Sequence, residues 1–173
     1  MKNFLKALLV MAVIVSLPVL AGVPNDLMAE LSEYTDALQA DGVIIDWDKA
    51  LVMSMDVKGK PVTVVTLVGI LNRRQENIVT MQYYKLQDEP PMLIVGLAFD
   101  SKNMTSPESE SLMVVWMSQT GEFAAMKIKM GLSQPVPSEE MSSEEAEKLF
   151  ARYLPKTYEL ITKKFLNDAG SAQ

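Results

Sequence analysis

The chain has 173 residues, with 22 acidic and 16 basic side chains, and it contains neither histidine nor cysteine. Without cysteine there are no disulfides, thiolate nucleophiles or thiolate metal ligands, and without histidine there is no imidazole base. We therefore expect no metal and no cofactor. The net charge of −6 argues against binding to nucleic acid.

The N-terminus has the pattern of an export signal. Lys2 and Lys6 precede an apolar run over residues 7–20, and Val19 and Ala21 supply the small residues that a signal peptidase needs. This pattern predicts a cleaved signal peptide over residues 1–21 and a single domain over residues 22–173. We expect a periplasmic or secreted protein of a bacterial envelope, with no membrane span after cleavage.

The first predicted element of the domain is a helix over residues 27–40. Four apolar residues recur there at helical spacing. Either Asn25 or Asp26 is expected to cap its start, and Gly42 follows where a left-handed residue commonly ends a helix.

Six strands are predicted next, separated by short polar segments rich in glycine, proline and charged residues. The first strand is expected to break near residues 46–49, and Pro135 with Pro137 is expected to end the sheet region. The predicted strands cover residues 43–57, 62–71, 78–86, 92–99, 112–118 and 123–130.

The last predicted element is a long helix. Ser142 and Glu145 fit a capping box at its start, whereas Pro155 should kink the helix or divide it in two. The tail over residues 167–173 is expected to fray. Because short connections favour antiparallel neighbours, the predicted fold is α+β: a strongly curved six-stranded antiparallel meander with both helices packed on it.

The middle strands are apolar on both faces, which an antiparallel sheet with one solvated face would not show. In the second predicted strand, Val62, Val64 and Val68 alternate with Val65 and Leu67. Both faces therefore need cover. Four arrangements stay open: one helix on each face, both helices on one face with a second copy or partner on the other, a sheet curled around the last helix, and a folded two-layer sheet.

Methionine is unusually frequent, with 13 residues in the chain. Thioethers are soft ligands for Cu(I), but these methionines lie among Val, Leu and Ile, which favours an adaptable apolar surface over a metal site. We predict a ligand-binding or partner-binding face made of methionine and aromatic side chains from the strands: Trp47, Met53, Met55, Met81, Tyr83, Met113, Trp116 and Met117.

These patterns predict an exported, non-enzymatic envelope protein that binds a lipid-like ligand or a protein partner. The alternatives are a structural or assembly subunit of an envelope complex, including a homodimer, and a carboxylate-dependent hydrolase. The hydrolase would need two acids facing each other with separated pKa values. Most acidic pairs, such as Asp88 with Glu89 or Glu144 with Glu145, occur in loops or a helix first turn, where solvation or the helix dipole explains them.

Overall fold

The computed structural model describes residues 23–57, 59–71, 77–87, 89–99, 110–129, 136–137 and 141–166. The predicted signal peptide over residues 1–21 and the predicted frayed tail over residues 167–173 lie outside these ranges. No helix within them combines the length and hydropathy that crossing a bilayer requires.

In chain order, one helix precedes the strands and two helices follow them. Helix α1 covers Asn25–Ala40, α2 covers Ser143–Tyr153 and α3 covers Pro155–Ile161, followed by a π-helical turn over Thr162–Leu166. The strands are β1 Val43–Ile45, β2 Leu51–Val57, β3 Lys60–Leu71, β4 Asn77–Leu86, β5 Met92–Ala98, β6 Glu110–Met117, β7 Phe123–Lys129 and β8 Val136–Pro137.

The strands form one open antiparallel sheet in chain order. Strands β1 and β2 both pair with β3, and the 3-10 turn Trp47–Lys49 separates them, so together they form one interrupted edge strand. Strands β3 to β8 then follow one another across the sheet. The predicted α+β fold, the antiparallel meander and the break in the first strand are confirmed.

Two sequence predictions are wrong in detail. Helix α1 begins after Pro24, and no side chain caps it, so neither Asn25 nor Asp26 plays the expected role. Pro135 and Pro137 were expected to end the sheet region. Instead, Pro137 lies in strand β8 and is the register partner of Met126. A proline is tolerated there because β8 lies at the margin of the described sheet, where its missing N–H interrupts no further pairing.

The C-terminal prediction is confirmed at both of its signals. The Ser142 hydroxyl accepts from the Glu145 amide, while the Glu145 carboxylate accepts from the Ser142 amide, which completes the capping box. Pro155 divides the predicted helix into α2 and α3, with Leu154 in a non-helical conformation between them. Gly42 adopts the left-handed conformation expected after α1, with φ of 88°.

All three described helices pack on the same face of the sheet. Their buried apolar residues, including Leu31 of α1, Phe150 of α2 and Ile161 of α3, join one core cluster with strand residues such as Leu67 and Trp116. The arrangement with one helix on each face is therefore absent from the described structure. We refer to this side of the sheet as the helix-covered face.

Candidate functional site

The pairing register of the strands decides which side chains lie on the face of the sheet opposite the helix-covered face. Side chains directly opposite each other in an antiparallel pair lie on the same face, and each strand alternates. Met53 lies opposite Val64, Val64 opposite Tyr84, and Tyr84 opposite Met92. Following the same rule across the sheet assigns six methionines to this side, which we call the methionine face: Met53, Met55, Met92, Met113, Met117 and Met126.

The methionine face has its own buried apolar cluster. Its nine buried members all belong to strands, and the partly buried residues bordering it are strand residues as well. Val64 is fully buried, and Val115 and Met126 are each 1% exposed. Among the described residues, therefore, no helix contributes to this second core. The sequence-based inference that the inner strands are sheltered on both sides agrees with this burial.

Methionines are concentrated on this side of the sheet. Of the nine within the described ranges, only Met28, Met81 and Met141 belong to the helix side. Met104 and Met130 lie outside those ranges. Met113 and Met126 are direct cross-strand partners on β6 and β7. Unbranched thioether side chains fill irregular spaces and can repack around different shapes.

The structure divides the eight residues of the predicted ligand or partner face between the two sides. Four of them come together on the methionine face: Met53, Met55, Met113 and Met117. Three lie in the helix-covered core and are at most 5% exposed: Met81, Tyr83 and Trp116. Trp47 lies in the 3-10 turn and packs against that same core. The predicted set is therefore not one contiguous surface.

A glycine creates space for one of these methionines. A Cβ atom added at Gly96 would lie 2.1 Å from the Met113 Cε atom and 2.8 Å from the Thr80 Oγ1 atom. The Met113 side chain therefore occupies the position above the β5 backbone that a larger residue would fill. Close packing of this kind is sensitive to a single added methyl group.

A small polar cluster, consisting of Thr66, Thr80 and Gln82, lies among the apolar residues of the methionine face. Thr66 and Gln82 are direct partners on β3 and β4, and Thr80 is two residues from Gln82 on the same strand face. The Thr66 hydroxyl oxygen is buried and has no hydrogen-bond partner among the described residues. The Gln82 side-chain carbonyl accepts from the Tyr84 hydroxyl at 3.0 Å, and burial raises the pKa of Tyr84 to about 12.

Exposed apolar side chains lie at the edge of the same face. Four of the five exposed large hydrophobic residues within the described ranges form an edge stripe on β1, β2 and β3, consisting of Ile44, Leu51, Val57 and Ile70. Ile44 is 60% exposed and is the direct partner of Ile70. Leu51 is the direct partner of Thr66, so the stripe adjoins the polar cluster. Adjacent exposed apolar residues, here Ile44 and Ile70, commonly mark binding surfaces.

The helix-covered face shows the interactions of a structural interior. The Tyr83 hydroxyl donates to the Glu30 carboxylate at 3.0 Å, and Lys85 pairs with the same carboxylate. This hydrogen bond from Lys85 is the main cause that lowers the pKa of Glu30. Burial, followed by the bond to Glu30, raises the pKa of Tyr83. The Trp116 ring packs 5.3 Å from Phe165, while its indole nitrogen has no partner among the described residues.

Several of the described carboxylates serve in caps and ion pairs. Asp41 caps α3, Glu145 completes the capping box, and Asp46 pairs with Lys49 at 2.7 Å. Glu33 pairs with Lys164, whose ammonium group also lies over the Tyr34 ring. Within the described ranges, no three acidic side chains come together as a cation site would require.

The polar cluster and the edge stripe were missed by the sequence reasoning. Alternation within one strand separates its two faces, but it does not say which face of β2 matches which face of β3. That match depends on the pairing of Val57 with Lys60 across the turn. The repeated spacing of Met53 with Met55 and of Met113 with Met117 was the available signal for a shared face.

Comparison with known proteins gives no relative from which a function could be transferred. No family model, no curated protein and no solved structure matches the chain.

Proposed function

We propose that this protein is an exported, non-enzymatic envelope protein that binds a hydrophobic small ligand on its methionine face. The observation that carries the proposal is the division of the sheet: the helices pack on one face, while a methionine-rich apolar cluster made only of strand residues occupies the other. Small-molecule sites are usually lined by apolar side chains with a few polar groups among them, and methionine allows such a lining to adapt.

The edge stripe supplies the entrance in this proposal. Leu51 is 36% exposed, and its partner across the strands is Thr66, whose hydroxyl is buried. A ligand that enters along β2 would therefore pass from exposed to buried apolar surface without crossing a charged side chain of the described strands at that point. Burial of its apolar area drives the association.

The test is binding of an environment-sensitive apolar fluorophore to the full exported protein, with native mass spectrometry to detect a co-purified ligand. Leu51→Lys places a charge at the entrance and should weaken binding about tenfold or more. Met28→Lys is the matched control, because Met28 is 41% exposed on the opposite side of the molecule. Equal binding by both variants, or no binding by the parent protein, contradicts the proposal.

A second candidate function is supported by the same stripe. An assembly subunit could use Ile44 and Ile70 to pack against a copy of itself or another envelope protein, because exposed apolar patches also mark protein interfaces. Sedimentation of the purified protein distinguishes the two. A dimer that Ile70→Lys converts to monomer, with no fluorophore binding, favours assembly over ligand uptake.

A further inference from the structure

The buried polar atoms of the methionine face restrict the chemistry of its ligand. The Thr66 hydroxyl can both donate and accept, and it is buried without a partner among the described residues. Its neighbour across the strands, Gln82, uses its carbonyl oxygen for Tyr84, which leaves the amide N–H groups of Gln82 as donors. An unpaired buried hydroxyl weakens a fold unless something satisfies it.

Charged residues are placed away from this polar cluster. On the methionine face of the described strands, the one charged side chain is Lys60, at the start of β3, and it forms an ion pair with Glu89. Lys85 on β4 lies on the helix-covered face, where it pairs with Glu30. A carboxylate or ammonium group brought to Thr66 would therefore lose its hydration without meeting an opposite charge from the described strands of that face.

We infer that the methionine face binds an uncharged amphiphile, whose hydroxyl, ester or amide head meets Thr66 and Gln82 while its apolar tail lies among the methionines. This inference rests on the proposed function and specifies its ligand class. Thr66 supplies one new hydrogen bond, and the Gln82 amide supplies another. The tail replaces contacts among flexible side chains such as Met113 and Met117, which can change rotamer at low cost.

The test compares three amphiphiles with the same acyl chain as competitors of the apolar fluorophore, using the full exported protein at neutral pH. They are a monoacylglycerol, the free fatty acid and a quaternary ammonium amphiphile, all kept below their critical micelle concentrations. We expect the monoacylglycerol to compete about tenfold or more better than either charged compound, because only its head can be desolvated at Thr66 without an uncompensated charge.

A pair of isosteric variants separates the head-group contact from general apolar binding. Thr66→Val should weaken monoacylglycerol binding roughly three- to tenfold, the factor that one net hydrogen bond supplies, whereas Thr63→Val should leave it unchanged. Thr63→Val is the control, because Thr63 lies on the same strand but on the helix-covered face, opposite Ser54 and Lys85.

The outcomes distinguish the inference from the proposed function. Equal competition by all three amphiphiles, tighter binding of a charged one, or an unchanged affinity in Thr66→Val overturns the neutral-head inference and leaves apolar ligand binding in place. Failure of the fluorophore and of all three amphiphiles to bind overturns the proposed function, and the inference falls with it.

Discussion

The Asp41 carboxylate and Thr157 join the end of the first helix to the start of the last one, across 116 residues of sequence. Asp41 Oδ2 accepts from the Thr157 amide at 2.8 Å and from the Thr157 hydroxyl at 2.7 Å, while Oδ1 accepts from the Lys156 amide at 2.7 Å. Helix α3 therefore has a distant residue as its cap, because Leu154, which precedes Pro155, provides no side-chain acceptor.

Replacing Asp41 should test how much this connection stabilises the helix layer. Asp41→Ala leaves two amide donors and one hydroxyl without their acceptor at a site where Asp41 is only 4% exposed, so we expect a loss of about 2–4 kcal/mol in the free energy of unfolding. Urea denaturation measures it. Asp36→Ala, at an exposed position of α1, should cost much less. Equal losses in the two variants would show that the Asp41 cap does not stabilise the helix layer.

A second prediction concerns the space above Gly96. Gly96→Ala should cost about 1–2 kcal/mol, because the new methyl group requires Met113 and Thr80 to move. Combining it with Met113→Ala should cost less than the sum of the single changes, with a coupling of about 1 kcal/mol.

The matched control for that coupling uses another methionine of the same strand. Met117 lies opposite Ile94 rather than Ala98, and no atom of Met117 is among the closest neighbours of a Cβ at Gly96. Gly96→Ala with Met117→Ala should therefore be additive in chemical denaturation. Additivity in both pairs would contradict the packing described for Met113.

A third prediction concerns the unpaired hydroxyl of Thr66. In ligand-free protein, Thr66→Val removes a buried polar atom without changing the side-chain shape, so the free energy of unfolding should rise by about 1 kcal/mol. The same variant is expected to bind a neutral amphiphile less tightly. Opposite changes in stability and affinity are characteristic of a binding residue; a fall in both measurements would indicate that the hydroxyl serves the fold.

A fourth prediction concerns alkaline pH. Burial raises the pKa of Tyr84 from its ordinary value of 10.0 to about 12. Because the folded state disfavours tyrosinate, the stabilisation is complete below pH 10.0 and is lost as the pH rises through about 12. Denaturation of Tyr84→Phe should show a weaker fall in stability across this window than the parent protein. Identical slopes would mean that Tyr84 ionises as freely when folded as when unfolded.

Local patterns were sufficient for much of the fold. The capping box of Ser142 with Glu145 and the helix break at Pro155 follow from chemistry within a few residues. The capping of α3 by Asp41 could not be predicted from local sequence, because it joins elements at opposite ends of the domain. Strand β8 was not predicted because a proline such as Pro137 normally indicates the end of a sheet. The sequence alone does not show that its strand lies at the margin, where a proline is tolerated.

The candidate site shows the same limit. Met53 and Met55, like Met113 and Met117, share a face by spacing alone, and the structure brings both pairs to the methionine face. Met81 lies on the helix-covered face because it is the partner of Leu67. Choosing between those faces requires the register between strands, and a shift of one residue would reverse the choice.

The most direct measurement of ligand binding at the methionine face is nuclear magnetic resonance of methyl-labelled methionine during titration with the monoacylglycerol. Ligand binding should shift the methyl signals of the six methionines of that face, with Met28, Met81 and Met141 unchanged as internal controls. Unchanged signals from all six at saturating ligand, or shifts confined to the three controls, would contradict it.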